Sequence, residues 1–162
     1  MGKKSKNVEP RFSGFYHLSW THDIIRDGMP VPIFTFRNDE YDPLTFHCAN
    51  GDRYRPARTF DGFDFGSVPQ RLQSIVSPLC ASRSFAFHDS GFNNHGHWVS
   101  KKGGPWIFTR LTFEQCNAIL CTTMNVEGNN LSTCYATYEA VKLGGSEIWA
   151  AHKGPFPVNP GY

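Results

Sequence analysis

The sequence predicts an α+β protein in which N-terminal antiparallel strands are followed by three to four short helices, with extended N- and C-terminal arms. Three observations carry this. Apolar and polar residues alternate through the N-terminal part. The apolar period lengthens to that of a helix after Ser67. Two S/T-x-x-Q boxes, at Ser67 and Thr112, stand where helices should begin.

Residues 1–10 form a polar arm, and 11–153 form one α+β domain. Strands are expected from about Phe12 to Phe65. Phe15, His17 and Ser19 alternate with Tyr16, Leu18 and Trp20, and Val31, Ile33 and Thr35 alternate with Phe34 and Phe36. Turn formers separate them at Asp27-Gly28, Asn38-Asp39, Asp42-Pro43 and Asn50-Gly51, the last a hairpin signal after Leu44–Cys48.

Ser67-Val68-Pro69-Gln70 caps a helix leading into Leu72, Ile75 and Val76. Ser77-Pro78 opens a second, along which Ala81, Phe85, His88 and Phe92 share one apolar stripe, with Asp89 on its flank. Gly91 and Asn93-Asn94 end it. Asn93–Pro105 then reads as a polar loop holding His95-Gly96-His97, and Trp106–Thr109 as a short strand. The Thr112–Gln115 box opens a helix with Phe113, Cys116, Leu120 and Met124 on one face, broken by Gly128-Asn129-Asn130. A last helix from Leu131 to Leu143 turns Cys134, Tyr138 and Val141 inward and stops at Gly144-Gly145. The Pro-rich stretch 154–162 suits an extended arm.

The chain is 40% hydrophobic and 15% aromatic over 162 residues, enough for one globular core. A net charge of +2, with Lys3, Lys4 and Lys6 as its only basic cluster, gives no clear nucleic-acid preference. Five cysteines without a CxxC pair read as structural thiols rather than as a disulfide framework. No run approaches the ~20 apolar residues of a membrane span, and no apolar leader segment follows Met1.

The chemistry-bearing constellation is Asp64 on a strand-to-helix corner and His88-Asp89 inside an apolar helix. Buried polar groups of this kind need partners. In a structural reading, Asp64 accepts from its turn or from Arg110 and His88 donates to it. The network is then Asp64, His88, Asp89 and Arg110, with Tyr138 or Lys142 near Asp89. In a chemical reading, Asp64, His88 and Asp89 are catalytic candidates. A divalent metal would then take ligands from Asp64 and His88 with His95 or His97. No HExxH helix and no G-x-S-x-G elbow supports a more specific assignment.

The order of these blocks resembles a family of short phage and prophage proteins, the domain-of-unknown-function family 1353. Asp64-Phe65-Gly66-Ser67-Val68-Pro69 matches its corner with Gly66 for alanine, and His88-Asp89 matches its H-D helix. Arg110 and the helix from Phe113 match its third block, with Asn117 where aspartate is usual. Tyr138-Glu139-Ala140-Val141-Lys142-Leu143-Gly144 matches its last block, with lysine for arginine. The resemblance spans roughly residues 55–145 and implies a phage origin rather than a reaction. The expectation is a bacteriophage virion protein, a tail, baseplate or connector component made in the host cytoplasm. It would dock to other phage structural proteins through its terminal arms, in a homo- or hetero-oligomeric assembly. The alternatives are a small metal-dependent hydrolase acting on cell wall or host material through Asp64, His88 and Asp89, and a phage-encoded inhibitor of a host protein.

Overall fold

A computed structural model describes residues 8–64, 81–154, 156, 161 and 162. Among them the chain is α+β. The strands are β1 (Arg11–Ser13), β2 (Tyr16–Arg26), β3 (Met29–Asn38), β4 (Thr45–His47), β5 (Arg53–Arg55), β6 (Thr59–Phe63), β7 (Gly96–Ser100) and β8 (Trp106–Arg110). The helices are α1 (Ser82–Asn94), α2 (Phe113–Val126), α3 (Leu131–Gly144) and α4 (Ser146–Ala151). One sheet runs β1-β4-β5-β7-β8 and a second runs β2-β3-β6, every ladder antiparallel.

The turn chemistry explains the hairpins. Asp27 and Gly28 both have positive φ, 51° and 76°, as a two-residue turn between right-twisted strands requires. They close the β2–β3 ribbon, in which Leu18 faces Phe36 and Trp20 faces Phe34. Asn50-Gly51 closes β4 on β5, with Phe46 opposite Tyr54. β6 pairs with β3 only between Phe34 and Arg37. The outer part of the ribbon therefore runs past its third strand, and Pro30 and Pro32 stand on the β3 edge left uncovered, where a missing N–H discourages strand addition.

Phe36, Phe63, Phe85, Phe87, Leu44, Leu120 and Met124 are fully buried and form the centre of the core. Helix α1 lies between the sheets and the other helices, touching β6, β7, α2 and α4. At Gly91 it comes so close to its neighbours that a Cβ there would lie 3.0 Å from His97 Nε2 and 3.1 Å from Cys116 Sγ. α2 begins with the capping box expected from its sequence. Thr112 Oγ1 accepts from the Gln115 N–H at 3.1 Å and Gln115 Oε1 accepts from the Thr112 N–H at 2.8 Å. Asn130 caps α3 by accepting from the Thr133 N–H.

Three expectations need correction. The stretch Asn93–Pro105 is not a polar loop: it contains β7, an interior strand buried at every position, with Gly96–Ser100 paired to β8 and Trp98–Ser100 paired to β5 on the other side. α3 buries Thr133, Cys134 and Thr137, while Tyr138 and Val141 stay half-buried. α4 follows α3 directly at Gly145. The Ser67 box, the helix after it and the Ser77-Pro78 cap lie outside the described residues, as do Lys3, Lys4, Lys6 and Cys80. Of the C-terminal arm, Phe156 lies under the Arg110 guanidinium, and Tyr162 reaches back into the domain. The Tyr162 hydroxyl donates to Pro56 O at 2.7 Å and accepts from Asn38 Nδ2 at 2.8 Å, and Gly161 O accepts from Arg58 Nε.

No side chain of its own caps α1. Glu127, just past α2, does so from outside. Its Oε1 accepts from the Ser84 N–H at 2.7 Å and Ser84 Oγ at 2.6 Å, and its Oε2 accepts from Arg83 Nε. A 5% exposed carboxylate accepting from an orphan N–H at a helix start is a charge-assisted cap. Glu127→Ala should cost about 2–3 kcal/mol in urea unfolding, and Glu127→Gln about half of that. An unchanged midpoint for the alanine variant would refute the capping role.

Candidate functional site

The Asp64, His88 and Asp89 side chains do converge. They line one cleft of about 490 Å³ bounded by the ribbon tip, the end of β6, α1, the C-terminal half of α3, and α4. Its apolar lining comes from Phe85, Phe92, Ala140, Val141 and Ile148. Asp64 stands there because β6 ends at Phe63. His88 and Asp89 stand there because α1 turns one flank away from the sheets, toward α3 and α4.

The contacts differ from those the sequence suggested. Asp64 pairs with Arg26 of the ribbon, Nη1 to Oδ2 at 3.1 Å, rather than with Arg110. Arg110 ends β8 and stacks its guanidinium over Phe156, 4.4 Å from the ring centre. The Asp64 N–H donates to Asp89 Oδ2 at 3.3 Å, so the end of β6 is tied to α1 through Asp89. His88 does not donate to Asp64. Its Nε2–H donates to Asn117 Oδ1 at 3.2 Å, and its Nδ1 faces Asp89 Oδ1 at 3.7 Å, too far for a hydrogen bond. Asn117, which stands where the resembled family carries aspartate, is thus the buried partner that orients the imidazole.

Burial holds His88 neutral, its pKa down at about 4 against the pull of Asn117 and of the Asp64 charge. His97 lies on β7, fully buried and edge-on to Phe87, with its pKa pushed down to about 3 by burial and by the neighbouring His88. Neither ring nitrogen of His97 has a hydrogen-bond partner among the described residues, and neither does Asn117 Nδ2. His95, the left-handed residue ending α1 at φ 52°, stacks on Trp149 at 3.8 Å and donates from Nε2 to Trp149 O. It pins α4 onto α1.

The metal expectation changes accordingly. His95 is engaged with α4 and His97 is enclosed in the core, so neither joins Asp64 and His88 at the cleft. Among the described residues no group of three His, Cys, Asp or Glu is placed to hold a metal ion. Burial raises the Cys116 thiol to about 12 and Cys48 to about 11, consistent with packing thiols rather than nucleophiles.

Sequence reasoning missed Arg26, and it marked Asn117 only as a departure from the resembled family, not as the partner of His88. Asn117 was findable, since it falls among Cys116, Leu120 and Met124 on the inward face of α2. Arg26 was not, because nothing local says that the ribbon tip meets the end of β6. No protein-family model, curated protein or solved structure matches this chain.

Both buried imidazoles titrate below their ordinary value of 6.5 in the folded chain, so the unfolded chain takes up protons first as pH falls. Stability should be full above pH 6.5 and decline toward pH 4, by up to about 3 kcal/mol for each histidine. Urea unfolding at pH 7, 5.5 and 4.5 measures this. His97→Leu should flatten the decline without costing stability at pH 7, because no partner of the ring is lost. An unaltered slope in that variant would show that His97 does not titrate on unfolding.

Proposed function

We propose that this protein is an assembly component of a bacteriophage particle, made in the host cytoplasm and carried in the virion as part of a tail, baseplate or connector. The phage setting rests on the resemblance over residues 55–145. The observation that carries an assembly role is the β2–β3 ribbon, which projects past its third strand with Trp20, Ile25 and Met29 at 61%, 72% and 60% exposed. Trp20, Ile25, Pro30 and Pro32 lie on the face that farther along carries the buried Phe36, beyond a register shift at Trp20/His22. The core-facing side of the ribbon thus outruns the core that would cover it. A largely apolar strip on a projecting element, with Asp23 within it accepting from Trp20 Nε1, fits docking onto a partner better than it fits solvent.

The prolines on the exposed β3 edge favour docking by side chains there over addition of a strand. Tyr162, at the described end of the C-terminal arm, is held by Pro56 and Asn38 of its own domain, whereas the ribbon tip projects with its apolar residues exposed.

Quantitative mass spectrometry of gradient-purified virions tests the role. A small fixed copy number is expected, and Trp20→Ser with Ile25→Ser should lower it at least tenfold while leaving the circular dichroism and unfolding midpoint of the free protein unchanged. Absence of the unaltered protein from particles would overturn the reading, as would full incorporation of the double variant.

A further inference from the structure

The net charge of +2 conceals an uneven distribution, and one face of the larger sheet carries much of the positive charge. Residues directly opposite one another in neighbouring strands share a face. The register therefore places Arg11, His47, Arg53, Ser100 and Trp106 in one row across β1, β4, β5, β7 and β8. The next row on that face holds Ser13, Thr45, Arg55, Trp98 and Phe108. Neither row contains a carboxylate. Phe12, Phe46 and Tyr54 alternate with them and turn to the other side, toward the core.

The arginines of this face have no counter-ion. Among the described residues, Arg26 and Arg83 each pair with a carboxylate, but Arg11, Arg53, Arg55 and Arg58 do not. The last three are half-buried, and each donates to a neutral acceptor. Arg53 Nη2 meets Ser100 Oγ at 3.1 Å, Arg55 Nε meets Thr45 Oγ1 at 2.8 Å, and Arg58 Nε meets Gly161 O at 2.7 Å. A guanidinium has five N–H donors, so most of theirs are left for something else. Rings hold these cations in place: Arg53 and Arg55 lie over Trp106 at 5.0 and 4.1 Å, and Arg55 and Arg58 over Tyr162 at 4.9 and 4.7 Å. A cation–π contact orients a guanidinium without neutralising it. Like charges gathered in this way repel until an anion arrives.

His47, in the same row, registers that repulsion independently. Its Nε2 is hydrogen-bonded to Ser13 Oγ at 2.7 Å, and burial, then Arg11, Arg53 and Arg55, hold its pKa below the ordinary 6.5. Two acids stand near without relieving it. Asp52 accepts from the Lys102 N–H and from Asn50 Nδ2, and Asp42 acts on Arg55 less than Arg53 and Arg58 do.

The charges are strung out rather than convergent. They run from Arg11 on the edge strand β1 through Arg53 and Arg55 to Arg58 beyond β5, with Lys101 and Lys102 exposed in the turn after Ser100. A line of cations matches a chain of phosphates better than a single one. Trp106 and Phe108, half-buried on the edge strand β8, add ring surface of the kind on which unpaired bases stack. A sheet face without a projecting helix suits a single strand rather than the groove of a duplex. We propose that this face of the larger sheet binds single-stranded nucleic acid, with phosphates on Arg11, Arg53, Arg55 and Arg58 and a base against Trp106 and Phe108.

The probe is a fluorescently labelled twelve-nucleotide oligothymidylate, titrated with the full chain at about 50 mM salt. It should bind, and a fourfold rise in salt should weaken it at least tenfold. Arg53→Gln with Arg55→Gln should weaken it at least tenfold, and Arg37→Gln, on β3 of the other sheet, less than twofold. The unaltered protein supplies a readout that a misfolded variant cannot imitate. Bound phosphates relieve the repulsion on His47, so its ring pKa, followed by NMR, should rise at saturation. No binding, equal losses in the two variants, or an unmoved His47 would each overturn the proposal. Equal affinity for the duplex with oligoadenylate would do so too. A His47 response as large with millimolar inorganic phosphate would reduce the face to a site for lone anions, and that also overturns it.

Discussion

Everything in this fold leans on a helix that is enclosed and yet polar. α1 touches both sheets and two other helices, and it buries Ser84, His88, Ser90 and Asn94 alongside Phe85, Ala86, Phe87 and Phe92. Buried hydroxyls, amides and an imidazole are tolerable only where each finds a partner. Those partners lie on other elements: Glu127 for Ser84, the Ala57 N–H for Ser90 Oγ, and Asn117 for His88, with Asn94 donating back to Ser90 O. The helix is thereby fixed in rotation and register as well as in position. An apolar helix of the same shape could slide by a turn, whereas this one would lose several buried hydrogen bonds together.

The same constraint creates the cleft. Registering α1 by Ser84, Ser90 and Asn117 leaves one flank, with Asp89 and Phe92, facing α3 and α4 rather than a sheet. Asp89 is held there by the Asp64 N–H, so the end of β6 and the flank of α1 are locked to each other. The imidazole is neutral for a plain reason: its enclosure disfavours charge more than the nearby carboxylates favour it. The other histidines near it are committed to packing and to α4.

Much of this was legible in the residues. The hairpins at Asp27-Gly28 and Asn50-Gly51, the capping box at Thr112 and the stop after α3 are local, and the sequence carried each as turn or cap chemistry. Asp64, His88 and Asp89 stood out because charge inside an apolar pattern is expensive. What could not be read was long-range. β7 follows a left-handed His95 and looks polar because Gly96, His97 and Ser100 are in it, but its burial comes from pairing with β5 and β8 on either side. Arg26 meets Asp64 across thirty-eight positions of chain. Arg110, expected at the network, is carried away by its place at the far edge of the larger sheet.

The ribbon and the cleft are not separate devices. Arg26 and Asp27 close the ribbon and also line the cleft, and the Arg26–Asp64 pair joins the two. That pair is partly solvated, so it contributes little stability and is easily exchanged. The projecting strip and the cleft therefore meet at the ribbon tip, where Arg26 and Asp27 close the turn and Arg26 holds the end of β6.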